Sequence, residues 1–360
     1  LVDVDLPRNG KVKFPTLTLM KISAYCKARG DSVHLLTVNE YLSGDLFNRY
    51  DKAYASCIFS KNAQKAKLLE GMGVIVGGSG YDINKRLPDE IEHIMPDYSL
   101  YGITDTAYGF LTRGCPRGCP FCIVAGKEGQ QSRKVADLSE WWSGQKNIKL
   151  LDPNLLACSS HMELMHQLIE SGANIDITQG LDIRLLNDDN LQLINNMKIK
   201  MLHFAWDNPN DKSTQQALQK FREKSIIDAR KVGVYVLTNY WSTLEDDLKR
   251  IYWLRDNGYS PYVMIYDLVS KMHTSFEECH GCPCDTEFGC IALPQHSENV
   301  GEDVKKRIQE ILRPNHMEKV AEVLGVKIGE TFSVRFGEYI DNQREFDGDC
   351  YLDDEGLHIV

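Results

Sequence analysis

A chain of 360 residues, 42% hydrophobic and 26% charged, has room for two or three domains and the composition of a globular protein. It carries no apolar run near the length of a membrane span and no secretory leader, and it opens on Leu1, so an upstream start and a cytoplasmic setting are expected. A net charge of −10 leaves no global field to attract nucleic acid, and 11 cysteines, an odd number, fit poorly with the disulfide framework of a short secreted chain.

The opening segment reads as alternating strands and helices. "LVDVDLP" (1–7) predicts a short strand, "FPTLTLMKISAYCKARG" (14–30) an amphipathic helix closed by Gly30, and "SVHLLTV" (32–38) and "YASCIFS" (54–60) two further strands. "GVIVGGSGY" (73–81) predicts a buried strand running into a glycine turn. Strands alternating with helices at this spacing predict a small, doubly wound, Rossmann-like parallel sheet over 1–105. Ligands of such sheets bind at the carboxyl ends of the strands, where "GGSGYD" (77–82) falls; simple turn geometry explains those glycines as well.

From "YGFLTRG" (108–114) onward strands recur at "IKLLD" (148–152), "IDITQG" (175–180), "MLHFAWD" (201–207), "GVYVLTN" (233–239) and "YVMIYD" (262–267). The stretches between them pattern as helices, as in "LEDDLKRIYWLRDNG" (244–258), acidic at its start and closed by glycine. Six β/α units are fewer than the eight of a complete barrel, so 106–268 is expected to form a partial (β/α)6, TIM-like barrel. The texture changes beyond it. A Cys-rich segment spans 269–300, and 301–360 is an acidic module with 14 Asp and Glu against 8 Lys and Arg, opening on a helical pattern and ending in short alternating, β-like runs.

Two clusters of thiols stand out. "GCPRGCPFC" (114–122) holds Cys115, Cys119 and Cys122, and no further Cys or His follows until Cys158. A structural zinc site wants four ligands, and a CxxC pair usually answers a second pair. Three thiolates on one short loop suit three irons of a [4Fe–4S] cube, with the fourth iron open to a small molecule. Phe121 offers an aromatic face beside the last thiol. The second cluster, "FEECHGCPCDTEFGC" (276–290), gathers Cys279, Cys282, Cys284 and Cys290, with His280 as an alternate ligand; four thiols there predict a second iron–sulfur cluster or a zinc ion.

Cys115-x3-Cys119-x2-Cys122 after a first barrel strand, with an aromatic residue before the last cysteine, resembles the signature of the radical SAM superfamily. The resemblance covers 106–267, touches 1–105 loosely and does not reach the tail. It implies a cluster that binds S-adenosylmethionine (SAM) through its amino and carboxylate groups and cleaves it reductively. A 5′-deoxyadenosyl radical then abstracts hydrogen from a substrate that the sequence does not name. It also implies a low-potential electron donor of the flavodoxin or ferredoxin type.

By position the resemblance assigns Asp152 and Asn154 of "LLDPN" to the segment holding the SAM amino group, in place of the commoner Gly-Gly-Glu. It assigns Gln179 and Asp182 of "TQGLDIRLLN" to ribose hydroxyls and Arg184 to a carboxylate, and Asp207 of "HFAWDNP" to an acidic strand end. Each has a plainer reading. Asp182 and Arg184 lie two apart and can simply pair, and Ser242 or Thr243 can simply cap a helix. Arg133 and Lys134 read as anion contacts or as a solvated pair, His203 as a core histidine, and Trp141 and Trp142 as packing.

An α/β domain ahead of such a barrel resembles the cobalamin-binding subclass, whose Asp-x-His-x-x-Gly loop is missing here: His34 and His93 have other neighbours. The tRNA methylthiotransferases place three cysteines in their front domain, where this chain has Cys26 and Cys57. Cobalamin-dependent methyl transfer, methylthio transfer and a non-enzymatic zinc-binding interaction protein are the alternatives.

Overall fold

The computed structural model describes residues 1–7, 14–44, 50–238, 240 and 242–266, and as backbone the strands at 331–339, 344–353 and 356–359. The cysteines at 279, 282, 284 and 290, His280 and the expected helix at 301–314 lie outside the described residues. The chain divides into two compact units: Leu1–Ala205 with Lys212–Val234, and Trp206–Asp211 with Tyr235–Val360.

The first unit opens with β1 (Val2–Asp3), α1 (Leu17–Ala28), β2 (Leu36–Thr37), α2 (Val38–Ser43), β3 (Tyr54–Ser56), α3 (Ala63–Gly71) and β4 (Ile75–Gly77). The strands form a parallel sheet in the order β2-β1-β3-β4. Its core is Val2, Val4, Ala55, Cys57, Leu69, Val74 and Val76, all buried. Each of the valine and leucine side chains contributes roughly 1.5–3 kcal/mol by leaving water.

The expected strand over 32–38 shrinks to Leu36–Thr37 because Thr37 does something better. Its hydroxyl accepts from Glu40 N at 3.2 Å while Glu40 reaches back to Thr37 N at 2.7 Å, a capping box that starts α2 at Val38. The glycines after β4 are steric in purpose. A Cβ on Gly78 would stand 2.2 Å from Cys57 O, and one on Gly80 would stand 2.4 Å from the Phe59 carbonyl carbon.

A short helix, α4 (Asp89–Glu92), leads to a second sheet. Its elements are β5 (Thr106–Gly109), β6 (Thr112–Arg113), α5 (Val124–Glu128), β7 (Arg133–Lys134), β8 (Asn147–Leu150), α6 (His161–Glu170), β9 (Asn174–Leu181), α7 (Asp188–Asn196), β10 (Ile199–Ala205) and α8 (Lys212–Lys224). Strands β5, β8, β9 and β10 run parallel in that order. The expected strand over 108–114 breaks in two, and its second half, β6, folds antiparallel onto β7 as a separate ribbon. β11 (Val232–Thr238) carries the chain into the second unit.

There α9 (Leu244–Asp256) and β12 (Ser260–Tyr266) follow, with β13 (Thr331–Tyr339) parallel to β12, and β14 (Arg344–Asp353) and β15 (Gly356–Ile359) extending it antiparallel. Thr243 caps α9 through its own box with Asp246. The buried Arg250, 2% exposed, donates to the carbonyls of Trp206, Asp207 and Leu237 and pairs with Asp247.

The fold is thus mixed α/β with parallel sheets, and no closed barrel forms among the described residues. No helix among them is long and apolar enough to cross a membrane.

Candidate metal centre at the thiol loop

The carboxyl ends of β5 and β8 face one another across a buried carboxylate. Asp152, two residues past β8 and 1% exposed, accepts from Leu111 N at 2.7 Å, Thr112 N at 2.8 Å and Thr112 Oγ1 at 2.6 Å. Burial pushes its carboxyl up to about 7, against the lowering effect of those three donors. Both oxygens are thereby spent on pinning the backbone that leads into the thiol loop. Asp152, expected beside the SAM amino group, is placed as a clamp on that loop.

The loop leaves β6 at Gly114, whose φ of +88° and lack of a Cβ let it pass 2.2 Å, in hypothetical Cβ distance, from Gln131 O. Cys115 N then donates to Gly129 O at 3.1 Å, closing the loop at its base, and Cys122 N donates to Cys119 O at 2.9 Å, turning its tip. Glu128 secures the same neck: Oε1 accepts from Arg113 Nη1 at 2.7 Å and Oε2 from Gly114 N at 3.2 Å. Cys115, Cys119 and Cys122 are all half-buried on this loop, and Phe121 is buried.

Asn154 is the second strand-end residue, 1% exposed. Its Nδ2 lies 3.5 Å from Cys115 Sγ, and its Oδ1 is buried with no hydrogen-bond partner. An orphaned amide oxygen beside a thiol costs on the order of 1–3 kcal/mol, a cost that a bound donor would relieve. Its own carbonyl is fixed by Ser132 Oγ at 3.0 Å, so the amide is held in place.

On the next strand, β9 ends at Leu181 and Asp182 caps the 3₁₀ turn that follows, instead of extending the strand. Asp182 takes a two-pronged pair from Arg184 Nε and Nη2 at 2.9 and 2.8 Å. The plainer of the two readings of these residues therefore describes their geometry. Arg117, from the middle of the thiol loop, approaches the same carboxylate at 3.9 Å and so brings the loop to the end of β9. Gln179 is exposed on β9.

Several residues have structural surroundings. His203 Nδ1 lies 3.0 Å from Ile177 O, and the Trp141 ring occupies the space a Cβ on Gly109 would need, 2.2 Å away. Lys134 pairs with Asp137 and Glu163, which hold its ammonium above the ordinary lysine range. Cys57, buried in the first sheet, has its thiol pushed up to about 12 by burial, and Cys26 is half-buried on α1. In the second unit Asp207 gives its carbonyl to Arg250.

Among the described residues no three His, Cys, Asp or Glu side chains stand together at the spacing of a metal shell. The chemistry of the donor set fits a thiophilic centre all the same: three cysteines on one closed loop, an amide nitrogen within reach of one thiol, and an orphaned oxygen beside it. Sequence reading missed Glu128, Arg113 and Arg117. One signal was present for Glu128, the lone acid among five basic residues from 113 to 134.

No protein-family model matches the chain, and no curated protein matches it either.

Proposed function

We propose that the chain is a radical SAM enzyme whose cluster is carried by Cys115, Cys119 and Cys122. The observation that carries this reading is Asn154, an amide beside the Cys115 thiol with a buried oxygen that lacks a donor. A SAM amino group supplies such a donor. In this reading 106–268 is a partial (β/α)6 barrel with the loop at the carboxyl ends of its strands, and 1–105 is a scaffold or substrate-binding domain. The parallel succession β5-β8-β9-β10 supports it.

A [4Fe–4S] cluster bound on that loop would supply the low-potential electron for reductive cleavage of SAM, and through it hydrogen-atom abstraction from a substrate. The chain's own residues do the rest. Cys115, Cys119 and Cys122 would hold the cluster, and Asn154 Oδ1 would orient the SAM amino group. Arg117, reaching from the thiol loop to the end of β9, and Arg184 would present guanidiniums to the SAM carboxylate. Asp152 keeps Leu111 and Thr112, and hence the loop base, in register. Phe121 offers an apolar face beside Cys122. A low-potential donor of the flavodoxin or ferredoxin type is the implied electron source.

The test is anaerobic reconstitution with iron and sulfide, followed by SAM and dithionite. A brown protein absorbing near 400 nm that forms 5′-deoxyadenosine, with both properties lost in the Cys115→Ala/Cys119→Ala/Cys122→Ala variant, supports the reading. A colourless protein carrying stoichiometric zinc on that loop overturns it.

A further inference from the structure

Immediately behind the thiol loop, the antiparallel ribbon β6-β7 sets Arg113 directly opposite Arg133. Like charges in that position repel and destabilise a ribbon. Both guanidiniums turn to the same residue: Arg113 Nη1 donates to Glu128 Oε1 at 2.7 Å and Arg133 Nη1 to Glu128 O at 2.8 Å. A third guanidinium, Arg86, reaches in from the segment before β5 and donates to the carbonyl of Lys127, the neighbour of Glu128. Three guanidiniums from three stretches of chain thus converge on Lys127 and Glu128, which add one ammonium and a single carboxylate.

Much of their donor capacity is unspent. Among the described residues Lys127 has no hydrogen-bond or ion-pair partner for its ammonium, and the Nε and Nη2 groups of Arg113 and Arg133 have none. Arg113 is also stacked over the Phe110 ring, 3.7 Å from its centroid, which fixes the direction of its fork. Burial lowers the Lys127 ammonium below its ordinary range, Glu128 raises it, and Arg113 and Arg86 lower it again, in keeping with a site short of negative charge.

We infer that Lys127, Arg113 and Arg133 form a receptor for a phosphate-type oxyanion, with Glu128 and Arg86 as its frame. Two guanidinium prongs and an ammonium match the tetrahedral oxygens of a phosphoryl group, and an added dianion relieves the cross-strand repulsion. The placement deepens the proposed function by naming a ligand class, a phosphorylated substrate or effector held beside the thiol loop. The receptor itself depends only on the ribbon and stands apart from whether the loop carries iron.

The test is calorimetric titration of the full chain in 150 mM KCl with inorganic pyrophosphate and with glycerol 3-phosphate, glycerol serving as the blank. Saturable one-to-one binding of either phosphate compound is expected, and their relative affinities distinguish a free oxyanion from a phosphoester. Lys127→Gln and Arg133→Gln should each weaken binding about tenfold. Arg230→Gln, remote from the ribbon and 88% exposed at its side chain, should not weaken it. Bound pyrophosphate should also slow acetylation of Lys127, read by mass spectrometry on the unmutated chain. Absence of saturable binding, equal weakening by Arg230→Gln, or unchanged acetylation overturns the receptor. A phosphate-binding but colourless, zinc-loaded protein would keep the receptor and remove the radical chemistry; a brown, active protein blind to phosphate would do the reverse.

Discussion

The carboxyl ends of the two parallel sheets in the first unit are built alike and finished differently. At the first sheet the polar groups consume one another. Asp3 accepts from Thr16 and Tyr101, Asp5 from Ile58 N at 2.5 Å and Asn62 Nδ2 at 2.8 Å, and the Cys57 thiol donates to Phe59 O at 3.3 Å. Gly78 and Gly80 let the backbone close over that end. Among these residues only Ser56 Oγ is left buried without a partner.

At the second sheet the strand ends keep capacity in hand: the Asn154 oxygen beside the Cys115 thiol, and the open prongs of Arg113 and Arg133. A parallel sheet offers a crevice at its carboxyl edge. Whether that crevice serves a ligand depends on whether the chain has already satisfied it from within.

The comparison breaks most sharply at the thiols. Cys115→Ala/Cys119→Ala/Cys122→Ala should reduce 5′-deoxyadenosine formation to background while leaving the thermal transition close to that of the parent, as half-buried loop thiols carry little packing. A large loss of stability would instead make the loop structural, like the first sheet's end.

Next in size is Asp152→Ala, which strands two buried N–H groups and a hydroxyl; about 3 kcal/mol of unfolding free energy should be lost, read from urea midpoints. The same carboxyl gives a pH signature. It titrates near 3.9 when unfolded and about 7 when folded, so between those values the folded chain binds more protons. Its contribution is full below the unfolded value and is lost as pH rises through 7. The unfolding free energy from urea titrations should therefore fall between pH 5 and pH 8 by about 2 kcal/mol in the parent, and this part of the slope should vanish in Asp152→Asn.

Asn154→Ala is a smaller effect and a sharper one. Removing one acceptor from a charged ammonium should raise the KM for SAM about tenfold, with stability unchanged or slightly improved because an orphaned oxygen is gone. Smallest is Asp5→Ala at the first sheet. It should cost about 1 kcal/mol in thermal or urea denaturation and leave 5′-deoxyadenosine formation per folded molecule unchanged. A loss of activity there would place chemistry at the wrong sheet.

The alternation of strands and helices was legible because Val2, Val76, Ile148 and Ile175 sit in short apolar runs whose period survives in either sheet. The three thiols were legible because their spacing is local. What escaped reading depends on contacts between segments distant in the chain. Asp152 has the composition of a ligand, but its oxygens are claimed by Leu111 and Thr112, about forty positions upstream. Asp182 reads equally as a ribose contact or a partner of Arg184; it stands one residue past the strand, where its carboxylate caps a turn while holding Arg184. The Arg113–Arg133 register lies in a ribbon of two-residue strands, too short to leave any periodic trace.

One feature of that ribbon bears on how the centre is made. The segment from Gly114 to Gly129 is already tied at both ends by Cys115 N to Gly129 O and by Glu128 to Arg113 and Gly114. The entropy of bringing the ends of such a segment together grows with its length and is met once, by the folded sheet. Under the proposed function, drawing three thiols onto a common centre would then start from a loop whose neck is already closed. In that reading the neck would work as a mould, separating the cost of folding from the cost of assembly, so that iron would be taken up by a chain already folded.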